Sequence, residues 1–167
     1  MDVVSALDYT PRLIDRHLSG LVATFPAVLV NGPRAAGKTT SARRLAAGVV
    51  RLDRPADAAG FIADPDAALR NRPEPLLLDE WQEVPGVLGA VKRSVDDDPR
   101  PGRFVLTGSV RADLEHSVWP GTGRLIRTRM YGLTQREIVG GAALEGPSML
   151  EKIAQRSTDA FTLPTKR

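Results

Sequence analysis

Apolar residues fall along this chain in two patterns. Short continuous runs, as in "PAVLVNG", "PLLLDE" and "GRFVLTGS", have no polar alternation and end in glycine or in polar residues, the signature of strands buried on both faces. Elsewhere the apolar positions recur at helical spacing. In "TPRLIDRHLSGLVATF", Leu13, Ile14, Leu18, Leu21 and Val22 predict an amphipathic helix over about 11–24, with Pro11 in its first turn. "GKTTSARRLAAG" follows the first strand as a second helix that Gly48 would stop, and "VVRLD" is a second short strand. "RPADAAGFIADPDAALRNRPEP" is helical in two pieces, because Pro65 interrupts it.

After the third strand, "VPGVLGAVKRSVDDD" reads as a helix in spite of Gly86 and Gly89. "GRLIRTRMYG" is a fifth strand, and "LTQREIVGG" a short helix with Thr134 as N-cap. Strands that alternate with helices indicate an α/β protein with a mainly parallel sheet. Residues 1–139 are expected to form one core, and 140–167, Gly-rich and then polar and basic, a short tail or linker. No internal repeat is evident.

At 167 residues the chain is long enough to bury one core. It has no cysteine, which excludes a disulfide framework and a thiolate metal site. No apolar run approaches a membrane span, and a cytoplasmic location is expected. The net charge of +3 is too small for the dense basic stripe of a dedicated nucleic-acid binder.

The chemistry starts between the first strand and its helix. Gly32-Pro33-Arg34-Ala35-Ala36-Gly37-Lys38-Thr39 satisfies G-x-x-x-x-G-K-[ST] in the strand–helix context that motif requires. A concave row of backbone N–H groups surrounds phosphate oxygens, and glycine at each end lets the chain turn tightly with no Cβ in the way. Lys38 would reach the outer phosphates and the Thr39 hydroxyl would hold Mg²⁺; Thr40 completes the nucleotide-binding set. Arg34 reads as an exposed loop side chain, and Arg43 and Arg44 as surface positions on the helix.

A reaction further needs a positioned metal and an oriented water. Asp79 and Glu80 end the third strand, at the edge of the sheet where the phosphate loop also lies. Asp79 suits the metal and Glu80 the general base; taken alone, the pair could equally end a strand and cap a helix. The fourth strand, Phe104 to Leu106, is expected to break into a turn at Thr107, Gly108 and Ser109, where Thr107 or Ser109 could orient the water. Ser109 is preferred as lying past the strand end. Arg111 and Arg124 flank an excursion before the fifth strand, and either could meet the charge that develops on phosphoryl transfer, from the same or a neighbouring subunit. Arg127 and Arg129 share a strand face and read as surface or partner contacts. His17 and His116 have no second ligand at metal spacing, and Trp81 and Trp119 read as cover for the core.

Together, "YTPRLIDRHLSGL", "GPRAAGKTT", "LLLDEWQEVP", "RFVLTGS" and "GRLIRTRMYGLTQREI" resemble prokaryotic AAA+-type P-loop ATPases, in particular the uncharacterised group that usually carries a further C-terminal domain. The resemblance covers about residues 9 to 139. It implies a three-layer α/β/α fold with a five-stranded sheet in the order 5-1-4-3-2, and ATP with Mg²⁺ as ligands. It gives Walker-A roles to Lys38 and Thr39, Walker-B roles to Asp79 and Glu80, a sensor-1 role to Ser109 and the arginine-finger position to Arg124. Such relatives continue with a helical lid and the extra domain, so the chain resembles a shortened member.

The reading that follows is Mg²⁺-dependent ATP hydrolysis coupled to an unknown partner or to a homo-oligomer. The alternatives are a non-hydrolysing nucleotide-binding module or truncated remnant, a P-loop small-molecule kinase, and, on the mild basic charge, a DNA-associated ATPase.

Overall fold

A computed structural model describes residues 9–109 and 123–140. Five strands form one sheet: β1 (Ala27–Gly32), β2 (Gly48–Arg51), β3 (Leu76–Asp79), β4 (Phe104–Ser109) and β5 (Leu125–Arg129). Their spatial order is β2-β3-β4-β1-β5 and every pairing is parallel, which is the expected order read from the other edge. The helices are α1 (Asp15–Thr24), α2 (Lys38–Arg43), α3 (Pro55–Ala63), α4 (Pro65–Leu69), α5 (Gly86–Asp97) and α6 (Gln135–Ile138). A 3₁₀ turn, Trp81–Glu83, follows β3.

The continuous apolar runs are explained by position. β1 lies between β4 and β5, and all six of its residues are buried. Alternate side chains feed two cores. Ala27 and Leu29 join Leu76, Leu78, Phe104 and Leu106 against α3, α4 and α5. Val28 and Val30 join Leu77 and Val105 against Leu18 and Val22 of α1 and Ala42 of α2. The result is three layers, helices on both faces of a parallel sheet.

Three expected boundaries move, each for a local reason. The first helix begins at Asp15 rather than near Pro11, because the Leu13 N–H donates to Glu137 Oε1 at 2.7 Å and the Arg12 side chain turns inward. α2 ends at Arg43, since the N–H groups of Ala47 and Gly48 both reach the Pro75 carbonyl, at 2.8 and 3.3 Å, and start β2. β4 does not break at Thr107. It continues through Ser109, pairing Thr107, Gly108 and Ser109 with Val30, Asn31 and Gly32. Pro65 divides α3 from α4 as expected, with the Asp64 carboxylate accepting from the Ala67 N–H at 2.9 Å as its cap. Thr134 caps α6 in a reciprocal box with Glu137.

Candidate functional site

The phosphate-type loop leaves the C-terminal end of the central strand. Gly32 ends β1 where no side chain fits, since a Cβ there would lie 1.9 Å from the Met130 carbonyl oxygen. Ala35 and Gly37 take left-handed backbone conformations, with φ of 58° and 88°, so the loop doubles back within a few residues before α2 begins at Lys38. Pro33, Arg34 and Ala35 are exposed, whereas Lys38 is 5% exposed. Its ammonium donates to the carbonyls of Gly32 at 3.1 Å and Pro33 at 2.8 Å, so the cation is folded into the mouth of the loop.

The acidic side of the cleft comes from β3. Because β4 separates β1 from β3, the loop and the end of β3 lie two strand spacings apart, about 10 Å. Side chains close that gap. Asp79 is 1% exposed, and its Oδ1 accepts from the Thr39 hydroxyl at 2.7 Å and from the Thr107 hydroxyl, which rises from β4 between them. Its Oδ2 faces Arg51 Nε at 3.8 Å. Glu80 is half-buried with a left-handed backbone, φ 56°, which turns the chain from β3 into the 3₁₀ turn, and Gln82 Nε2 donates to its Oε2. Two hydroxyls and a carboxylate on three different elements thus converge opposite a buried lysine. Beside the loop, Tyr9, Thr10, Gly37, Thr40, Ser41 and Leu133 border a small pocket of about 200 Å³.

Residues 24–139 match the family described as "AAA domain". The chain belongs to this family. Similar relatives are an uncharacterized protein of Mycobacterium tuberculosis and another of Mycobacterium bovis, each 33% identical over 123 residues. The match covers 71% of this chain but 28% of each relative, so the chain spans well under half the length of these curated relatives. AAA domains are a nucleotide-binding group of P-loop NTPases, and the three-layer fold agrees with that membership.

Not every residue singled out from sequence reaches the cleft of this AAA domain. Ser109 does lie there, as the last residue of β4 and level with Gly32 at the start of the loop, although inside the strand and not beyond its end; the β4 hydroxyl that bonds Asp79 is Thr107. Two polar residues next to a glycine read as a turn in sequence. They are strand because Gly108 packs on the indole, where a Cβ would lie 2.5 Å from Trp81 Nε1. Arg124 sits just before β5 begins, level with Pro26, so it is about six residues, or ~20 Å, from the loop end within one chain. There it pairs with Asp96 of α5. Arg34, Arg43, Arg44, His17, Arg127 and Arg129 are exposed and Trp81 is fully buried, while Thr40, also exposed, borders the pocket beside the loop. Arg111, His116 and Trp119 lie outside the described residues.

A cavity of about 750 Å³ lies away from the loop. It lies near the opposite end of the strands, by Arg70, Glu74 and Arg103, and two of its arginines pair with Glu74, Arg103 at 3.0 Å and Arg100 at 2.7 Å.

Sequence reasoning missed the support behind the AAA domain's loop. Arg12, 8% exposed, donates from Nη1 to the Ala36 carbonyl at 2.8 Å, from Nη2 to the Tyr131 carbonyl at 2.7 Å and from Nε to Glu137 at 3.0 Å. Burial pushes the Glu137 carboxyl up, but the N–H groups of Thr134 and Leu13, the Thr134 hydroxyl and the Arg12 guanidinium outweigh it and hold the group at about 2. Arg12 and Glu137 are 125 positions apart. The only local signal was the capping pattern "TQRE".

Proposed function

We propose that this AAA domain binds ATP with Mg²⁺ and hydrolyses it, driving a change in a partner or in a further domain. One observation carries the reading: the hydroxyls of Thr39 and Thr107 meet the Asp79 carboxylate beside a loop whose lysine is tucked against its own carbonyls. A hydroxyl and a carboxylate oxygen side by side are the hard donors that Mg²⁺ takes, so Thr39 and Asp79 would hold it. When bound, the ion neutralises charge on the phosphate oxygens.

The protein's own groups have distinct tasks in this reading. The amides of Pro33-to-Lys38 loop residues enclose the phosphates, with Pro33 contributing none because it lacks an N–H. Lys38 exchanges the Gly32 and Pro33 carbonyls for the outer phosphates, which present stronger acceptors. The base lies in the pocket bordered by Tyr9 and Leu133. Thr107 fixes the rotamer of Asp79, and Ser109, at the end of the same strand, helps to orient the attacking water. Glu80 removes the proton from the attacking water, and the Gln82 amide orients its carboxylate. Arg124 would act only on the nucleotide of a neighbouring copy.

The test is a labelled-ATP titration together with phosphate release. Lys38→Ala is expected to lose most of the binding. Glu80→Gln should bind ATP yet release phosphate at least about 100-fold more slowly, the share usual for a general base. Phosphate transferred to an added acceptor rather than to water would favour the kinase reading, and binding without turnover the module reading. Absence of binding with Mg²⁺ in excess overturns all three.

A further inference from the structure

We infer that Arg12, fixed by Glu137, is a positioning residue that sets the phosphate loop in its ligand-ready shape. Its loop contact needs no nucleotide, while its effect on affinity rests on the ATP reading above. A loop that presents its amides forward must turn carbonyls to the rear, and the Ala36 carbonyl is met there by Arg12 Nη1 at 2.8 Å. Ala36 is 4% exposed, so water does not supply that donor freely. The other arm of the same guanidinium holds the Tyr131 carbonyl at 2.7 Å, just beyond the Met130 whose carbonyl abuts Gly32. One planar group therefore ties the second half of the loop to the chain that backs its first residue.

The remaining contacts fix the guanidinium itself. Glu137 Oε1 accepts from Arg12 Nε at 3.0 Å and from the Leu13 N–H at 2.7 Å, and its Oε2 accepts from the Thr134 N–H at 2.7 Å. The space around Gly37 belongs to the same brace, since a Cβ there would stand 3.0 Å from Arg12 Nη1. Because Glu137 neutralises Arg12 locally, the pair works by shape and not by adding positive potential to the cleft. That separates it from an arginine that recruits phosphate by charge. A lysine at position 12 keeps the charge but has no rigid fork with which to reach Ala36, Tyr131 and Glu137 together.

The experiment compares wild type, Arg12→Lys, Arg12→Gln and, as a control, Phe61→Leu, which loosens the core on the opposite face of the sheet from α1. Hydrogen exchange is followed in peptides covering 33–39 and 86–97 without nucleotide, and labelled ATP is then titrated with Mg²⁺ present. In both Arg12 variants loop exchange should accelerate at least about tenfold while α5 is unchanged. ATP affinity should fall by about tenfold or more as preorganisation is lost. Phe61→Leu should leave both loop exchange and affinity as in wild type. Loop exchange within twofold of wild type in Arg12→Lys, or equal acceleration in Phe61→Leu, overturns the inference. Should Arg12→Lys not fold, Glu137→Gln carries the same comparison. If wild type binds no ATP, the nucleotide reading falls, while the exchange data still decide whether Arg12 shapes the loop.

Discussion

Replacing Glu137 by glutamine should remove a specific, pH-dependent part of the stability. The carboxyl is 3% exposed and held at about 2, against 4.5 for the free group. That difference of about 2.5 pKa units corresponds to roughly 3 kcal/mol of preference for the ionised form in the folded state. The folded pKa is depressed, so the contribution is complete above about pH 5.5 and fades as acid takes the unfolded carboxyl through its own pKa. It is gone by about pH 1, where both states are protonated. Between about pH 6 and about pH 3 the wild type should therefore lose roughly 2 kcal/mol from this residue alone.

Glu137→Gln keeps the size and an acceptor but cannot ionise. Urea unfolding at a series of pH values, with wild type and variant side by side, cancels the titration of all other carboxylates. At neutral pH the variant should be less stable by about 3 kcal/mol, in line with breaking a buried pair. The gap should narrow steadily on acidification. A gap that stays level from about pH 6 to about pH 3 would refute the assignment of a bonded carboxylate to this position.

Other substitutions test other parts of the fold. Gly32→Ala forces a methyl against the Met130 carbonyl, so the β1–β5 ladder must part locally; a loss of about 3 kcal/mol in urea unfolding is expected. Gly20→Ala is the opposite case, an exposed helical glycine with nothing within 4 Å, and should raise the unfolding midpoint by the equivalent of about 0.5–1 kcal/mol. Thr107→Val removes one of two hydroxyls on a buried carboxylate. It should cost about 1–3 kcal/mol, and it should lower ATP turnover more than ATP affinity. An unchanged turnover number would show that the Thr107–Asp79 contact has no part in the reaction.

The sheet was readable because its signals are local. A buried parallel strand is apolar on both faces, so Val28 to Val30 and Leu76 to Leu78 declare themselves, and the loop motif names its own place between strand and helix. The same logic explains where reading failed. Thr107, Gly108 and Ser109 look like the end of a strand because their reasons for being polar or small, Asp79 and Trp81, lie on another strand and turn. Arg12 looks like the polar face of a helix, and Glu137 like a routine capping residue. Only folding brings them together, and nothing in the spacing of either announces a partner more than a hundred positions away. α2 was overextended for a similar reason, since the carbonyl that ends it belongs to Pro75.

Arg12 also places part of the loop's support outside the span of the family match. The family match opens at residue 24, the last residue of α1, yet the group that anchors the loop sits twelve positions earlier. A fragment trimmed to 24–139 would lack the Tyr9 wall, the Arg12 tie and the Leu18–Val22 face that covers the sheet. It would retain every motif residue and still be missing the backing against which they are set. A fragment of this chain that is to keep the loop backed therefore has to include Tyr9 and Arg12.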